Sequence, residues 1–168
     1  MNIIKPHKNK SREVTKEDIE LVYKDSAEML KLCHQTMGNM RGAFAIHHAQ
    51  ITDNPLNFFV TKQGEIVCNP KIVNHTKTMV DSEEYCYTFF YLTKPAIVKR
   101  WNVIQVEYSL LEDNELVHKA ERLSGKFAKI FQHELSHGNA EYIYPIDWEN
   151  IEEKMENPHL IKPKTFEK

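Results

Sequence analysis

The sequence predicts an α+β fold, because two helical patterns enclose a region of β-hairpin patterns. The first helical pattern follows Thr15, and the second runs from Ser124 to Gly138. Between them, runs of apolar and strand-forming residues are separated by turn residues, which is typical of hairpins. The chain contains no internal repeat, low-complexity block or Pro/Gly-rich linker, so we expect residues 1–168 to form a single domain.

The first helix is predicted by apolar residues at helical spacing after Thr15. Thr15 and Asp18 resemble a capping box, with Asp in the usual Glu or Gln position, and Gly38 is a suitable stop. We expect an amphipathic helix in which Cys33 belongs to the core rather than to a reactive site. The predicted apolar stripe is Ile19, Val22, Tyr23, Ala27, Leu30, Cys33 and Met37.

The middle of the chain predicts two hairpins. Strand-like runs at residues 56–60 and 65–70 flank a turn at residues 62–64. Residues 103–110 alternate between two sets of side chains, which suits a strand with one buried face. Asp113 and Asn114 would then turn the chain into a short partner strand at Leu116 and Val117.

The second helix carries a glutamate on its apolar side. At about 100° per residue, the apolar side is defined by Phe127, Ile130, Phe131 and Leu135. Glu134 falls inside that arc, His133 and His137 lie along its edge, and Lys129 lies opposite its centre. Because a glutamate on a buried face is costly unless it is paired or has a task, this helix is the first candidate for a functional site.

The same helix contains the sequence QHELSHG at residues 132–138, with two histidines four positions apart. Histidines at this spacing project from one helical face and are close enough to bind one metal ion. Glu134 can reach a metal-bound water without ligating the ion. The chain has nine histidines, so the alternative is a chance match in which both histidines are buried and hydrogen-bonded.

The residues alone leave the third ligand open. Catalytic sites of this type usually have three protein ligands and one open position. A third histidine six residues after the pair is excluded, because position 143 is Ile. A downstream glutamate would make the protein a zincin-type metallopeptidase, with Glu141, Glu152 and Glu153 as candidates. The other candidate is Cys86, for which a small buried hydrophobe is the alternative interpretation.

Three motifs, in order and spacing, resemble those of peptide deformylases. QHELSH at residues 132–137 resembles the family's QHExDH, and EYCYT at residues 84–88 resembles its EGCLS. AFAIHHAQ at residues 43–50 resembles GxGLAAxQ, although it keeps only the final glutamine unchanged. The motif-bearing part of the chain covers roughly residues 15–145.

The resemblance implies that Cys86, His133 and His137 hold one divalent metal ion. It implies Fe²⁺ in cells, with Zn²⁺, Ni²⁺ or Co²⁺ able to occupy the same site. A thiolate and two neutral imidazoles leave such a site with one net positive charge, which lowers the pKa of bound water.

The resemblance also implies the reaction. A metal-dependent amidohydrolase acting on linear amides would remove the N-formyl group from the N-terminal formyl-methionine of nascent peptides and release formate. Glu134 would move the proton, and the Gln50 side chain and the backbone N–H of Tyr87 would stabilise the oxyanion. The implied fold has mixed, mostly antiparallel sheets around a central metal-binding helix. The implied substrate contacts are Ala45, Ile46, Tyr85 and Ile130.

The chain departs from the family pattern in the first two motifs. Both glycines of the first motif are alanines, Ala43 and Ala45, and the glycine of the second is Tyr85. Side chains at these positions would narrow the substrate groove or change its backbone angles. The eroded first motif motivates another hypothesis, a catalytically inactive deformylase-fold binding protein.

Other departures lie around the predicted metal helix. The two alanines of the first motif are His47 and His48, either packing residues or additional polar groups near the site. Ser136 replaces the usual aspartate, which removes a partner for a metal ligand. Gly138 stands where the family has leucine after the second histidine.

Composition limits the partners and the location. The formal net charge of −2 provides no basic excess for nucleic acid, and no apolar run has the length of a membrane span. The N-terminus lacks the apolar segment of a secretory signal, and three cysteines, an odd number, favour a reducing compartment. We therefore expect a cytoplasmic monomer that contacts neither nucleic acid nor membrane. The resemblance implies that it acts on formylmethionyl peptides of nascent chains, near the ribosome, and that its source is bacterial, viral or organellar.

Overall fold

The computed structural model describes residues 1–90 and 92–151, which form two helices and seven strands with three short 3-10 helices. None of the described helices has the length and apolarity to span a bilayer. In chain order the elements are α1 (Ile19–Cys33), β1 (Ala45–His47), β2 (Phe58–Thr61), β3 (Ile66–His75), β4 (Met79–Glu84), β5 (Ala96–Trp101), β6 (Val103–Glu112), β7 (Glu115–Ser124) and α2 (Gly125–Gly138). The 3-10 helices are Lys16–Asp18, His48–Gln50 and Tyr87–Phe89.

The strands form two antiparallel sheets, which confirms the predicted α+β class. The larger sheet has the order β1-β2-β3-β6-β7, and β4 and β5 form a separate hairpin. Each neighbouring pair among these strands is antiparallel, and an isolated parallel bridge joins Arg12 and Leu56. The larger sheet thus presents two faces for packing and leaves β1 at one edge.

Both faces of the larger sheet are covered, one by each helix. Successive residues of a strand point to opposite faces, and Phe58 accordingly packs with Met29 of α1, whereas Phe59 packs with Phe131 of α2. The rings of Phe59 and Phe131 meet edge to face at 5.8 Å. Cys33 is fully buried on the α1 side, as predicted.

Helix α2 begins after Ser124 and ends at Gly138, as the sequence predicted. Glu134 is only 4% exposed, so the expected glutamate on the buried face is present. Phe127 was assigned to the same face but is 70% exposed. The angular position of a residue shows which side of the helix it occupies, but not how far along the helix the sheet packs against that side. Phe127 belongs to the first turn of α2, which the sheet does not cover.

Two predicted boundaries were wrong. Helix α1 ends at Cys33 rather than near Gly38, because the chain reverses in a turn where Met37 and Met40 exchange two backbone hydrogen bonds. Gly38 has φ 57° and serves that turn. The partner strand of the second hairpin is not short: β7 has ten residues and pairs with β6 along its whole length.

Candidate metal centre

Three potential metal ligands lie close together at the C-terminal half of α2. The ligand atoms of Cys86, His133 and His137 all lie within 4.8 Å of one another. Nε2 of His137 is 3.3 Å from Sγ of Cys86 and 3.3 Å from Nε2 of His133. Two nitrogens bound to one tetrahedral ion at about 2.0 Å would be about 3.3 Å apart, so the donor set fits a single small cation.

The two elements that supply these ligands are far apart in the chain. Helix α2 presents His133 and His137 from adjacent turns. Cys86 follows the end of β4 in extended conformation and packs with Phe89 and Val98 in the small core beneath the β4-β5 hairpin. That hairpin therefore sets the position of the thiol relative to the helix.

A buried carboxylate orients one of the histidines. Nδ1 of His133 donates to Glu84 Oε1 at 2.7 Å, and Arg100 donates to both Glu84 oxygens at 2.9 and 2.7 Å. Burial raises the pKa of Glu84, but Arg100 and His133 outweigh burial and hold it well below its usual range. Because Glu84 holds Nδ1 of His133, Nε2 is the ring nitrogen that faces the ligand cluster, and it becomes a metal ligand once it has lost its proton.

The sequence reasoning assigned no role to Glu84 or Arg100. Glu84 is the first residue of the EYCYT motif, and Arg100 lies in the β region between the two predicted helices. Only the pairing of β4 with β5 brings the two side chains together. Ser136 also joins this network, because Arg100 donates to its Oγ at 3.3 Å. The expected loss of a partner at Ser136 is therefore offset, since Glu84 still supplies a carboxylate to His133.

The cluster favours a positive charge among its donors. Burial lowers the pKa of His133, but hydrogen bonds to Cys86 and Glu84 outweigh it and raise the pKa to about 10. Burial and the neighbouring His133 hold the pKa of His137 well below its usual value. One imidazole thus attracts a proton while the other stays neutral, and a bound cation would provide the same positive charge.

Glu134 is buried beside the cluster without a direct partner for one of its oxygens. Its Oε2 has no hydrogen-bond partner among the described residues. Burial raises the pKa of Glu134 to about 7, with His133 opposing this shift and Glu84 adding to it. A carboxylate with a pKa near neutrality and a free oxygen can accept and return a proton.

Two hydrogen-bond donors lie beside the ligand cluster. Oε1 of Gln50 accepts from the backbone N–H of His47 at 3.0 Å, which turns its amide nitrogen towards Thr88 Oγ1 at 3.3 Å and Cys86 Sγ at 3.6 Å. Tyr87 is the first residue of a 3-10 helix, so its N–H has no acceptor within that helix. Both donors therefore lie next to the cysteine.

A cleft of about 730 Å³ leads to the cluster. Of the predicted substrate contacts, Ala45, Tyr85 and Ile130 line this cleft, together with Gln50 and Glu134. Ile46 does not line it: its side chain is fully buried in the core on the α1 side of the sheet. The prediction for the Ile46 side chain was therefore wrong, because alternation along β1 turns it away from the cleft.

Of the three glutamates considered as a third ligand, the structure describes Glu141. Glu141 is exposed and is not part of the donor cluster, and Glu152 and Glu153 lie outside the described residues. His47 and His48 are buried packing residues. Nδ1 of His47 accepts from Ala49 N–H and its Nε2 pairs with Asn57, whereas His48 bonds to Asp25 and Leu56 N–H.

The sequence matches the family model described as Polypeptide deformylase over residues 5–146. Solved structures of similar fold include peptide deformylase from Thermotoga maritima, with 22% identity, a TM-score of 0.69, and 85% of this chain and 95% of that chain covered. The enzyme of the Vibrio parahaemolyticus bacteriophage VP16T, in complex with actinonin, has 25% identity and a TM-score of 0.66 over 85% of this chain and 100% of that chain. Arabidopsis thaliana peptide deformylase 1B has 20% identity and a TM-score of 0.67, with 94% and 90% covered. No curated protein matches the sequence.

Proposed function

Because this chain belongs to the polypeptide deformylase family, whose metal-dependent members remove N-formyl groups from peptides, we propose that its metal ligands are Cys86, His133 and His137. The converging thiol and imidazoles support this assignment most directly, since their separations suit one tetrahedral cation. We propose Fe²⁺ as the ion in cells, with Zn²⁺, Ni²⁺ or Co²⁺ as substitutes, because a thiolate with two imidazoles suits these late metals.

Glu134 acts as the proton carrier of the reaction. A divalent ion, when bound, activates water for attack and polarises the formyl group. Glu134 accepts the proton of that water and returns it to the leaving amine nitrogen, which completes cleavage of the amide into formate and a free amino terminus. Its buried Oε2, which has no hydrogen-bond partner in the described part of the chain, and its pKa of about 7 suit both transfers.

Gln50 and Tyr87 stabilise the developing oxyanion. The Gln50 amide is held by the His47 N–H so that its own N–H groups point towards the cluster. The Tyr87 N–H starts a 3-10 helix and is not used within it. Two such donors aimed at the formyl oxygen favour the tetrahedral state over the planar amide.

The cleft accepts the peptide in an extended form. Strand β1 lies at the edge of the larger sheet, and its Ala45 lines the cleft, so the edge of β1 that does not pair with β2 faces the substrate. Ala45, Tyr85 and Ile130 contact the first residues. The substrates are formylmethionyl peptides of nascent chains in the cytoplasm or an organelle. A monomer with a single domain meets them near the ribosome.

Formate release from formyl-Met-Gln-Ser tests this proposal. Protein loaded with Ni²⁺ or, without oxygen, with Fe²⁺ should release formate at least about 100-fold faster than the Glu134→Ala variant with equal metal content. Release no faster than this control would overturn the proposal and favour a non-catalytic binding protein.

A further inference from the structure

The side chain of Tyr87 anchors the 3-10 helix that carries one of the two proposed oxyanion donors. Its hydroxyl donates to the backbone carbonyl of Gln35, just beyond the end of α1. The side chain is 2% exposed and packs in the core on the α1 side of the sheet. A leucine, which the family pattern has at this position, could not form this hydrogen bond. The contact is therefore a feature of this chain rather than of the motif.

Two separate cores hold the segment around Tyr87. Cys86 and Phe89 pack in the small core beneath the β4-β5 hairpin, whereas Tyr87 packs in the core on the α1 side. The 3-10 helix between them has three residues, and the backbone N–H of Phe89 donates to the carbonyl of Cys86 at 2.9 Å. Because a single 3-10 turn has poor hydrogen-bond geometry of its own, its orientation depends on the side chains that it buries on either side.

The hydroxyl ties this helix to the loop between α1 and β1, residues 34–44, which forms part of the cleft wall. Gly38 of the loop passes so close to the helix that a Cβ atom there would lie 2.2 Å from the carbonyl oxygen of Phe90. Burial raises the pKa of the Tyr87 phenol, and a backbone hydrogen bond with Gly42 opposes that shift. The hydroxyl thus stays protonated at neutral pH and meets the backbone of the loop at both ends.

An oxyanion donor is most effective when its direction is fixed before the negative charge develops. The N–H of Tyr87 lies between the thiol of Cys86 and a side chain that is anchored at Gln35. We infer that the Tyr87 hydroxyl is a positioning group, which holds the ring against the loop and thereby fixes the backbone N–H of the same residue beside the ligand cluster. This inference rests on the proposed function, which makes that N–H a donor to the oxyanion.

Loss of the hydroxyl should affect turnover rather than binding. Tyr87→Phe keeps the ring in the core and removes the bond to Gln35, so the N–H is still present but held less firmly. We expect kcat to fall about 10-fold, less than the roughly 100- to 1000-fold loss that follows removal of a whole donor. KM should change less than about two-fold, because the donor acts mainly in the transition state. The rival interpretation is a polar group that only satisfies the core, in which case the variant loses stability alone.

Tyr144→Phe is the matched control. Tyr144 is also 2% exposed, and its hydroxyl donates to a backbone carbonyl, that of Lys94, at 2.6 Å. It packs in the same small core as Cys86. Both variants therefore lose one hydroxyl–carbonyl bond, but Tyr144→Phe leaves the anchor at Gln35 in place. Its kcat should stay within about two-fold of the wild type.

The experiment combines turnover with hydrogen exchange. Formate release from formyl-Met-Gln-Ser by metal-loaded samples of equal metal content gives kcat and KM for the wild type and both variants. Hydrogen exchange followed by mass spectrometry reports the anchor without turnover. The amides of residues 86–90 should exchange at least about five-fold faster in Tyr87→Phe than in the wild type, whereas those of α2 should be unchanged.

An unchanged kcat in Tyr87→Phe, equal losses of kcat in the two variants, or a loss confined to KM would overturn the inference and leave the proposed function intact. Unchanged exchange at residues 86–90 would overturn it as well, since the hydroxyl would then anchor nothing. Failure of the proposed function appears separately, as wild-type formate release no faster than that of the Glu134→Ala control, and it would remove the inference with it.

Discussion

Sγ of Cys86 lies 3.3 Å from Nε2 of His137, although 51 positions separate the two residues. If this contact marks a shared cation, Cys86→Ala should lower the affinity for Ni²⁺ or Zn²⁺ at least about 10-fold, because one of three ligands is lost. Competition with a chromophoric chelator measures the affinity. Cys33→Ala is the control, since that thiol is buried in the core apart from the cluster. Unchanged affinity in Cys86→Ala would instead favour a glutamate as third ligand.

Glu84 should matter for metal binding although it is not a ligand. Glu84→Gln removes the charge that holds Nδ1–H of His133 and leaves Arg100 without its carboxylate, so we expect a 10- to 100-fold weaker metal affinity. The neighbouring Glu83→Gln removes the same charge from an exposed position. It should bind metal like the wild type, and equal losses in the two variants would contradict the role of Glu84.

Glu134 should make the metal-free protein less stable as the pH rises. Its pKa is about 7 in the folded protein and 4.5 in the unfolded chain, so between these values the folded state binds more protons. Stability then falls by about 1.4 kcal/mol per pH unit, or about 3 kcal/mol in total. Urea unfolding with a chelator present should show Glu134→Gln close to the wild type at pH 4.5 and about 3 kcal/mol more stable at pH 8. A difference that does not grow with pH would refute this.

The sequence predicted the helix that carries the histidines and the buried face of Glu134, because both follow from local periodicity. It also placed the turn at Asp113 and Asn114, whose φ values of 50° and 62° suit these residue types. Cys86 could be joined to the pair only by resemblance to a family, since no local pattern reports a contact across 51 positions.

What the sequence missed depends on packing between distant elements. Ile46 was expected in the cleft but belongs to the core, because the pairing of β1 with β2 fixes which face it occupies. Glu84 and Arg100 acquire their role only when β4 and β5 pair. Phe127 lies on the apolar side of α2 and is nevertheless exposed, because the sequence of one helix does not show where the sheet packed against it ends.

Two departures from the family pattern compensate each other in space. His47 replaces a small alanine, and Gly138 replaces a leucine. A Cβ atom on Gly138 would lie 3.1 Å from Nε2 of His47 and 2.8 Å from Oδ1 of Asn57. The imidazole therefore fills space that a side chain at position 138 would need.

A double-mutant cycle tests this pairing. Gly138→Leu should cost about 3 kcal/mol by overpacking, and His47→Ala about 2–4 kcal/mol, because it leaves a cavity and deprives Ala49 N–H of its acceptor. In the double variant the leucine enters the space that the imidazole vacates, so the loss should be smaller than the sum by at least about 1 kcal/mol. Urea unfolding at one pH measures the free energy of unfolding of all four proteins.

His48→Ala with Gly138→Leu is the matched control: His48 bonds to Asp25 and Leu56 and shares no partner with Gly138, so those two losses should add. Additive losses for His47 as well would mean that the two departures are independent.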